Sequence, residues 1–456
     1  MKAQRQTLRR IGVLPQPLQP QWRVYSRSQS TKAVLPPHSL LPTKMLLRSL
    51  LVATISSHRA LLTPALKVLS MIAHPRIGLL SVEKNPILRA FLKTSFYNHF
   101  CAGENNAEVS ATIGRIKNMG MKGVILTYAR EIGSDNSSIS TPEGTSEQRE
   151  KGTALDKPSS SQDPQIEAWC VGVMETVEMI GEHDFLALKF TGAGAAAADA
   201  LQTGGPLPSQ MMNALKAICN RAVERKARIF IDAEQQSVQD GIDQVALDLM
   251  RLFNRDGRAT VYNTYQAYLK STPTTLHAHM DCARKENFTL GVKLVRGAYI
   301  NSEPRHLIND TKANTDTQYD SIAADLLKRE YGAGPFPSVE LFLATHNKES
   351  VLKAHGLYQA RIQSGEPTVK VQYGQLLGMA DEVSCRMLQI KEEGNGDESL
   401  VAPEVYKCLS WGTLGDCLSY LLRRAVENRD AVSRTTAEYV ALKTEAKRRF
   451  MMYFRS

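Results

Sequence analysis

Between Val124 and Leu409 the chain alternates short apolar runs with longer amphipathic stretches eight times. That alternation leaves few folds open. The strand candidates are Val124–Tyr128, Phe185–Phe190, Arg228–Ile231, Ala259–Tyr262, Val292–Val295, Val339–Leu343, Val369–Tyr373 and Val405–Leu409. The helical stretches that follow include Ile166–Met179, Gln210–Arg225, Asp240–Phe253, Thr264–Glu286 with a break at Pro273, Ile308–Tyr331, Lys348–Gln363, Gln375–Ile390 and Leu414–Glu427. Strict alternation predicts a parallel sheet whose strands are buried on both faces. Eight units predict a closed (β/α)8 barrel, with a doubly wound open sheet as the alternative. In a barrel the residues at strand ends share one cavity. Lys189, Asp232, Tyr299, His346 and the last helix would then face each other.

Charge is unevenly distributed. Lys and Arg number 56 against 46 Asp and Glu, yet the first acidic residue is Glu83. Twelve of the bases precede it, so the remainder is close to neutral and is not a basic nucleic-acid binder. Residues 1–45, rich in Arg, Ser, Gln and Pro, match a cleaved mitochondrial transit peptide, with a disordered basic tail as the alternative. Residues 46–119 read as an N-terminal helical region. Leu46–Ile72 is too interrupted for a membrane span and predicts an amphipathic helix pair. The barrel occupies 120–456, with a polar insertion at 134–165 expected to be disordered. Seven scattered cysteines without a Cys-x-x-Cys pair suit a reducing compartment and no zinc site.

Gly291-Val-Lys-Leu-Val-Arg-Gly-Ala-Tyr299 places a cation, a close-approach glycine and an aromatic at a strand's carboxyl end. It fits a ligand site, and it equally fits a core strand with an ordinary turn. Lys293, inside a buried strand, requires a partner. Thr191-Gly-Ala-Gly-Ala-Ala-Ala-Ala198 has the start of a dinucleotide fingerprint but lacks its ribose-binding acid, which favours a small-residue turn. His277 and His279 lack further ligands at metal spacing and read as a solvated helix face. Asp232 and Glu234 are either an acid and base or partners for barrel cations. Tyr420, Arg423, Arg424 and Glu427 fall on one helical face, where two guanidiniums can fork a carboxylate or simply form an exposed i,i+4 ion pair with Glu427.

Taken in order, Phe-Ile-Asp-Ala-Glu (230–234), Tyr-Gln-Ala-Tyr (265–268), Val-Lys-Leu-Val-Arg-Gly-Ala-Tyr (292–299), Ala-Thr-His-Asn (344–347), Gln-Leu-Leu-Gly-Met (375–379) and Tyr-Leu-Leu-Arg-Arg-Ala-Val-Glu-Asn (420–428) resemble the flavoprotein proline dehydrogenases. The resemblance implies a (β/α)8 barrel that holds FAD and oxidises L-proline to Δ1-pyrroline-5-carboxylate. It implies that Arg423, Arg424 and Lys189 bind the proline carboxylate, that Asp232 neutralises that cluster, and that Tyr299, Leu376 and Tyr420 wall the ring. It places FAD on Gln266, Lys293, Val295, Arg296, Gly297 and Ala298, with Thr345, His346, Asn347 and Glu427 reaching its outer parts. It also implies electron transfer to a membrane quinone at the matrix side of the mitochondrial inner membrane, through peripheral contact. One departure stands out: many relatives carry Tyr before the last helix, and this chain has Cys408. A roomier wall leaves hydroxyproline open as a substrate. A non-catalytic flavin or proline sensor and a NAD-linked enzyme are the readings from other classes.

Overall fold

A computed structural model describes residues 35–454 apart from 74, 76–79, 130–161, 332–333, 395–399 and 431; for 419, 427–430 and 432–435 only the backbone is described. The expected transit peptide falls outside the described residues as far as position 34, but its boundary at 45 falls inside packed structure. Pro37–Leu40 forms a 3-10 turn, helix α1 spans Thr43–Ser57, and Leu41 and Leu46 are buried with Cys385 and Leu442. The Arg449 guanidinium donates to the carbonyls of His38, Ser39 and Leu41, so the segment is tied to the end of the chain.

Helix α2 (Arg59–Ala73) follows α1 at an angle of 104°. Then come α3 (Pro86–Leu92), capped by Asn85, a single π turn at Lys93–Tyr97, short α4 (Asn98–Phe100) and α5 (Asn106–Asn118), capped by Asn105. The barrel then runs β1 (Gly123–Tyr128), α6 (Pro164–Met179), β2 (Phe185–Leu188), α7 (Ala195–Thr203), α8 (Ser209–Glu224), β3 (Arg228–Ile231), α9 (Gln236–Phe253), β4 (Val261–Gln266), α10 (Thr272–Glu286) and β5 (Leu290–Val295). It continues with α11 (Lys312–Lys328), β6 (Val339–Ala344), α12 (Lys348–Gln363), β7 (Lys370–Leu376), α13 (Asp381–Glu393), β8 (Glu404–Trp411), α14 (Leu414–Asp430) and α15 (Val432–Tyr453). All eight strands are parallel, each pairs with the next, and β8 closes on β1. The open-sheet alternative is thereby excluded. The expected insertion lies outside the described residues up to 161, and Pro164–Gln165 already belong to α6.

At two element boundaries the expectation fails for one shared reason. Thr264–Gln266 and Gln375–Leu376 are strand, not helix, although their polar residues broke the apolar pattern. Their side chains hydrogen-bond between strands: Thr264 Oγ1 donates to Ile231 O at 2.7 Å, and Gln375 Nε2 to Thr345 O at 3.3 Å. Helix α10 starts only at Thr272, where Pro273 sits in the first turn and no N–H is lost. His279, expected on a solvated face, is buried against Tyr265, its Nδ1 2.9 Å from the phenol oxygen. Burial pulls its pKa down to about 4.

The strand interiors are filled from the amino end upward. Arg228 meets Glu340 at 2.9 Å and the Tyr262 hydroxyl at 2.9 Å near the strand starts. Above them Phe185, Phe230, Tyr262, Phe342 and Tyr406 pack face and edge, Phe185 and Phe230 stacked at 4.2 Å. This aromatic plug fills the lower barrel, and the strand ends above it converge on a mouth at the carboxyl end.

Candidate active site

Side chains alternate along each strand, so the residues just above the aromatic plug are set by register. On β5, Lys293 points inward over Phe230, its Nζ 4.9 Å from the ring centroid. Its partner is Asp232, the first residue past β3: Nζ to Oδ1 is 2.6 Å, with side chains 13% and 22% exposed. The Lys293 requirement read from sequence is thus met by the carboxylate expected to serve the cation cluster. Asp232 is fixed in turn by its own N–H, which donates to Leu188 O at 2.8 Å.

Cys408 lies at the same level, packed with the aromatic plug. Burial pushes its thiol up to about 11, and the charges that act on it are Lys293, Asp232, Arg424 and Lys189. Those four groups come from three strand ends and one helix, far apart in sequence. Helix α14 supplies Arg424, whose guanidinium lies 5.2 Å from the Tyr420 ring. Tyr420 is half-buried, and desolvation raises its hydroxyl, with Ser410 and Cys408 near it. Leu376 ends β7 beside Cys408, its register partner.

The remaining predicted residues lie further out. Arg423 is exposed, so the two arginines do not present equally toward the mouth. Tyr299 stands half-buried in the loop after β5. The side chain of Glu427 lies outside the described ones. Val295 ends β5, and its carbonyl accepts from Ala267 N at 2.8 Å. Arg296 is held flat over Tyr319 at 4.3 Å, pairs with Asp316 at 2.7 Å, and reaches Thr345 Oγ1 at 2.5 Å and Ser350 Oγ at 2.9 Å. Asn347 caps α12, and its own N–H donates to Thr345 Oγ1 at 3.1 Å. His346 Nε2 accepts from Leu376 N at 3.1 Å, which ties β6 to β7 and leaves the ring proton on Nδ1. Gly297, at φ +148°, does approach something bulky: an added Cβ would stand 2.3 Å from the Tyr268 ring. Gln266 is buried, its Oε1 accepting from Ala298 N and its Nε2 donating to Glu234 O, both at 3.2 Å.

These outer residues form a band suited to a long anionic cofactor. Gly297 and Ala298 leave backbone exposed at the strand end, and Arg296 presents a guanidinium fixed on three sides. The N-terminus of α12 begins at Asn347, beside Thr345. Fixed cations and helix N–H groups are what a pyrophosphate requires.

Three supports were not singled out from sequence. Lys407 and Asp381, 3% and 2% exposed, pair at 2.7 Å behind the mouth, Lys407 also donating to Met379 O at 3.1 Å. Glu104 accepts from the first N–H of α14, Leu414 N, at 2.9 Å, and pairs with Arg89 at 2.7 Å and Lys93 at 2.5 Å. It therefore anchors the helix that carries Tyr420 and Arg424. Tyr97 adds a bond from its hydroxyl to Gly412 O at 2.6 Å. No local pattern announces contacts across some 310 residues.

Comparison with known proteins gives the family. The chain is 34% identical over 245 residues to the "Probable proline dehydrogenase, mitochondrial" of Schizosaccharomyces pombe, covering 51% of this chain and 48% of that protein. It therefore spans about half the length of that relative. It is 27% identical over 412 residues to the "Hydroxyproline dehydrogenase" of Bos taurus, covering 79% of this chain and 82% of that protein. Among solved structures, proline utilization A from Bdellovibrio bacteriovorus, inactivated by N-propargylglycine, superposes with a TM-score of 0.60 at 16% identity, over 83% of this chain and 38% of that one. That likeness concerns the fold. The model of the "Proline dehydrogenase" family matches residues 109–437, from α5 through the barrel and α14 into α15, and the chain belongs to that family.

Proposed function

We propose that this chain oxidises L-proline to Δ1-pyrroline-5-carboxylate, with FAD as its cofactor. The observation that carries the reading is the Lys293–Asp232 pair standing over the aromatic plug against which Cys408 packs, within the family match. Proline is a small anion with an apolar ring, so it needs cations at one end and apolar walls at the other. Arg424, Arg423 and Lys189 supply the cations. Tyr420, Leu376, Tyr299 and Cys408 supply the walls. Asp232 holds Lys293 in place through their ion pair.

FAD, when bound, would supply the redox chemistry as the acceptor for the hydride of proline. Gln266, Lys293, Val295, Arg296, Gly297 and Ala298 would hold it at the mouth, with Thr345, His346, Asn347 and Glu427 at its outer end. The chain's own contribution is to orient proline in a packed pocket and shield it from water. A second reading, oxidation of hydroxyproline, is favoured by the inward placement of Cys408 where a larger tyrosine would crowd a ring substituent.

Electrons would pass to a membrane quinone at the mitochondrial inner membrane, with residues before Pro37 serving as the presequence. Among the described residues no single helix is long and apolar enough to cross a membrane. Peripheral contact is supported by α15, where Phe450, Met451, Met452 and Tyr453 are exposed near Lys447 and Arg448. Steady-state assay of proline with a short-chain quinone, with pyrroline product measured directly, tests the function. Turnover supports it; absence of product from a flavin-loaded protein overturns it.

A further inference from the structure

We propose that Glu234 is a positioning residue that sets the place of Lys189. The inference rests on the reading that Lys189 holds the substrate carboxylate. Glu234 is 6% exposed and lies two residues beyond Asp232, yet it takes no part in the Asp232–Lys293 pair. Its carboxylate instead accepts three hydrogen bonds from the turn after Lys189. Phe190 N donates at 2.8 Å, Thr191 N at 3.1 Å, and the Thr191 hydroxyl closes the third. From the opposite side the Trp169 indole donates to the Lys189 carbonyl at 3.2 Å. The peptide that carries Lys189 is thus gripped at its carbonyl by Trp169 and at the next N–H by Glu234.

Glu234 is itself fixed. Its N–H donates to Gln239 Oε1 at 2.8 Å, and Gln239 Nε2 donates to Asp243 at 2.7 Å. Asp243 also accepts from Asn263 at 2.8 Å. The Glu234 carbonyl accepts from Gln266, whose other atom holds Ala298 N. One residue therefore links the Lys189 turn to the loop after β5. A carboxylate taking two N–H groups and a hydroxyl from one turn behaves as a clamp, and burial strengthens each bond. The dinucleotide-like sequence Thr191–Ala198 then has a different use: its glycines let the turn at Thr191–Ala193 pack close against α6, where a Cβ added at Gly194 would stand 2.3 Å from Gln165 and one at Gly192 3.4 Å from Trp169.

A double-mutant cycle on the flavin-loaded protein tests this, with cyclopentanecarboxylate as a nitrogen-free carboxylate probe and proline as substrate. Glu234→Ala should weaken probe binding about tenfold and raise the proline KM more than it lowers kcat. Glu234→Gln keeps an acceptor oxygen for the two N–H groups and should restore binding to within about threefold of the original. In a Lys189→Met background, Glu234→Ala should change binding by less than about twofold. Equal losses in both backgrounds would overturn the positioning role while leaving Lys189 as a carboxylate ligand. No loss from Lys189→Met alone would instead overturn the reading of Lys189. If Glu234→Ala does not fold, Thr191→Val removes one of the three donors and carries the same cycle, with about a threefold loss expected only when Lys189 is present. Additivity there overturns the inference equally.

Discussion

Lys293 Nζ and Asp232 Oδ1 stand 2.6 Å apart at the barrel mouth, one from the fifth strand and one from the end of the third. Removing one member strands the other in a place with little water. Asp232→Ala should therefore destabilise the protein by about 3–5 kcal/mol. The double change Asp232→Ala with Lys293→Met should recover a substantial part of that loss, because no lone charge remains. Urea midpoints of the three proteins check this, and a double variant as unstable as Asp232→Ala would show that the pair is not the cause.

Arg423 and Arg424 were legible as one carboxylate fork, but the structure separates them by exposure. Arg424→Met should lower kcat/KM for proline by roughly 10–150-fold, the value of one buried charged hydrogen bond of about 1.5–3 kcal/mol. Arg423→Met should cost less. Steady-state kinetics of both variants, with flavin content measured, decide it; a larger effect at Arg423 would contradict the placement.

Cys408 faces the barrel interior, packed against the aromatic plug. Cys408→Tyr should therefore tighten proline binding and lower the ratio of hydroxyproline to proline turnover, by about 1–3 kcal/mol in discrimination. If the larger ring only overpacks the core, the melting temperature falls and the substrate ratio stays constant. Measuring both quantities separates the outcomes.

Acid sensitivity follows from the buried histidines. Burial lowers His279 and His99 to about 4 in the folded state, against 6.5 when exposed. The unfolded chain then binds more protons between those values, so stability is present above about pH 6.5 and is lost as pH falls toward 4. Each group contributes about 3 kcal/mol across that window. Denaturant midpoints against pH should show a shallower slope for His279→Asn than for the parent, and identical slopes would contradict the burial.

The strand–helix rhythm was readable because parallel strands covered on both faces are nearly continuous apolar runs, as at Val339–Leu343. It faltered at Gln266 and Gln375, where polar side chains bond across neighbouring strand ends. Lys293 could be seen to need a partner, but not that Asp232 would be it. That pairing depends on barrel closure, which brings residues 61 positions apart together. The anchoring of α14 by Glu104 left no signal in sequence, since neither residue breaks a local rule. His38 to Leu41 read as part of the transit peptide because their partner, Arg449, lies more than 400 positions away.

The most direct test is the visible spectrum of the purified protein before and after proline is added without oxygen. The account predicts a bound oxidised flavin whose absorption band is bleached by L-proline, and far less by D-proline. A colourless protein that gains no flavin on reconstitution, or a flavin that L-proline leaves oxidised, would contradict it.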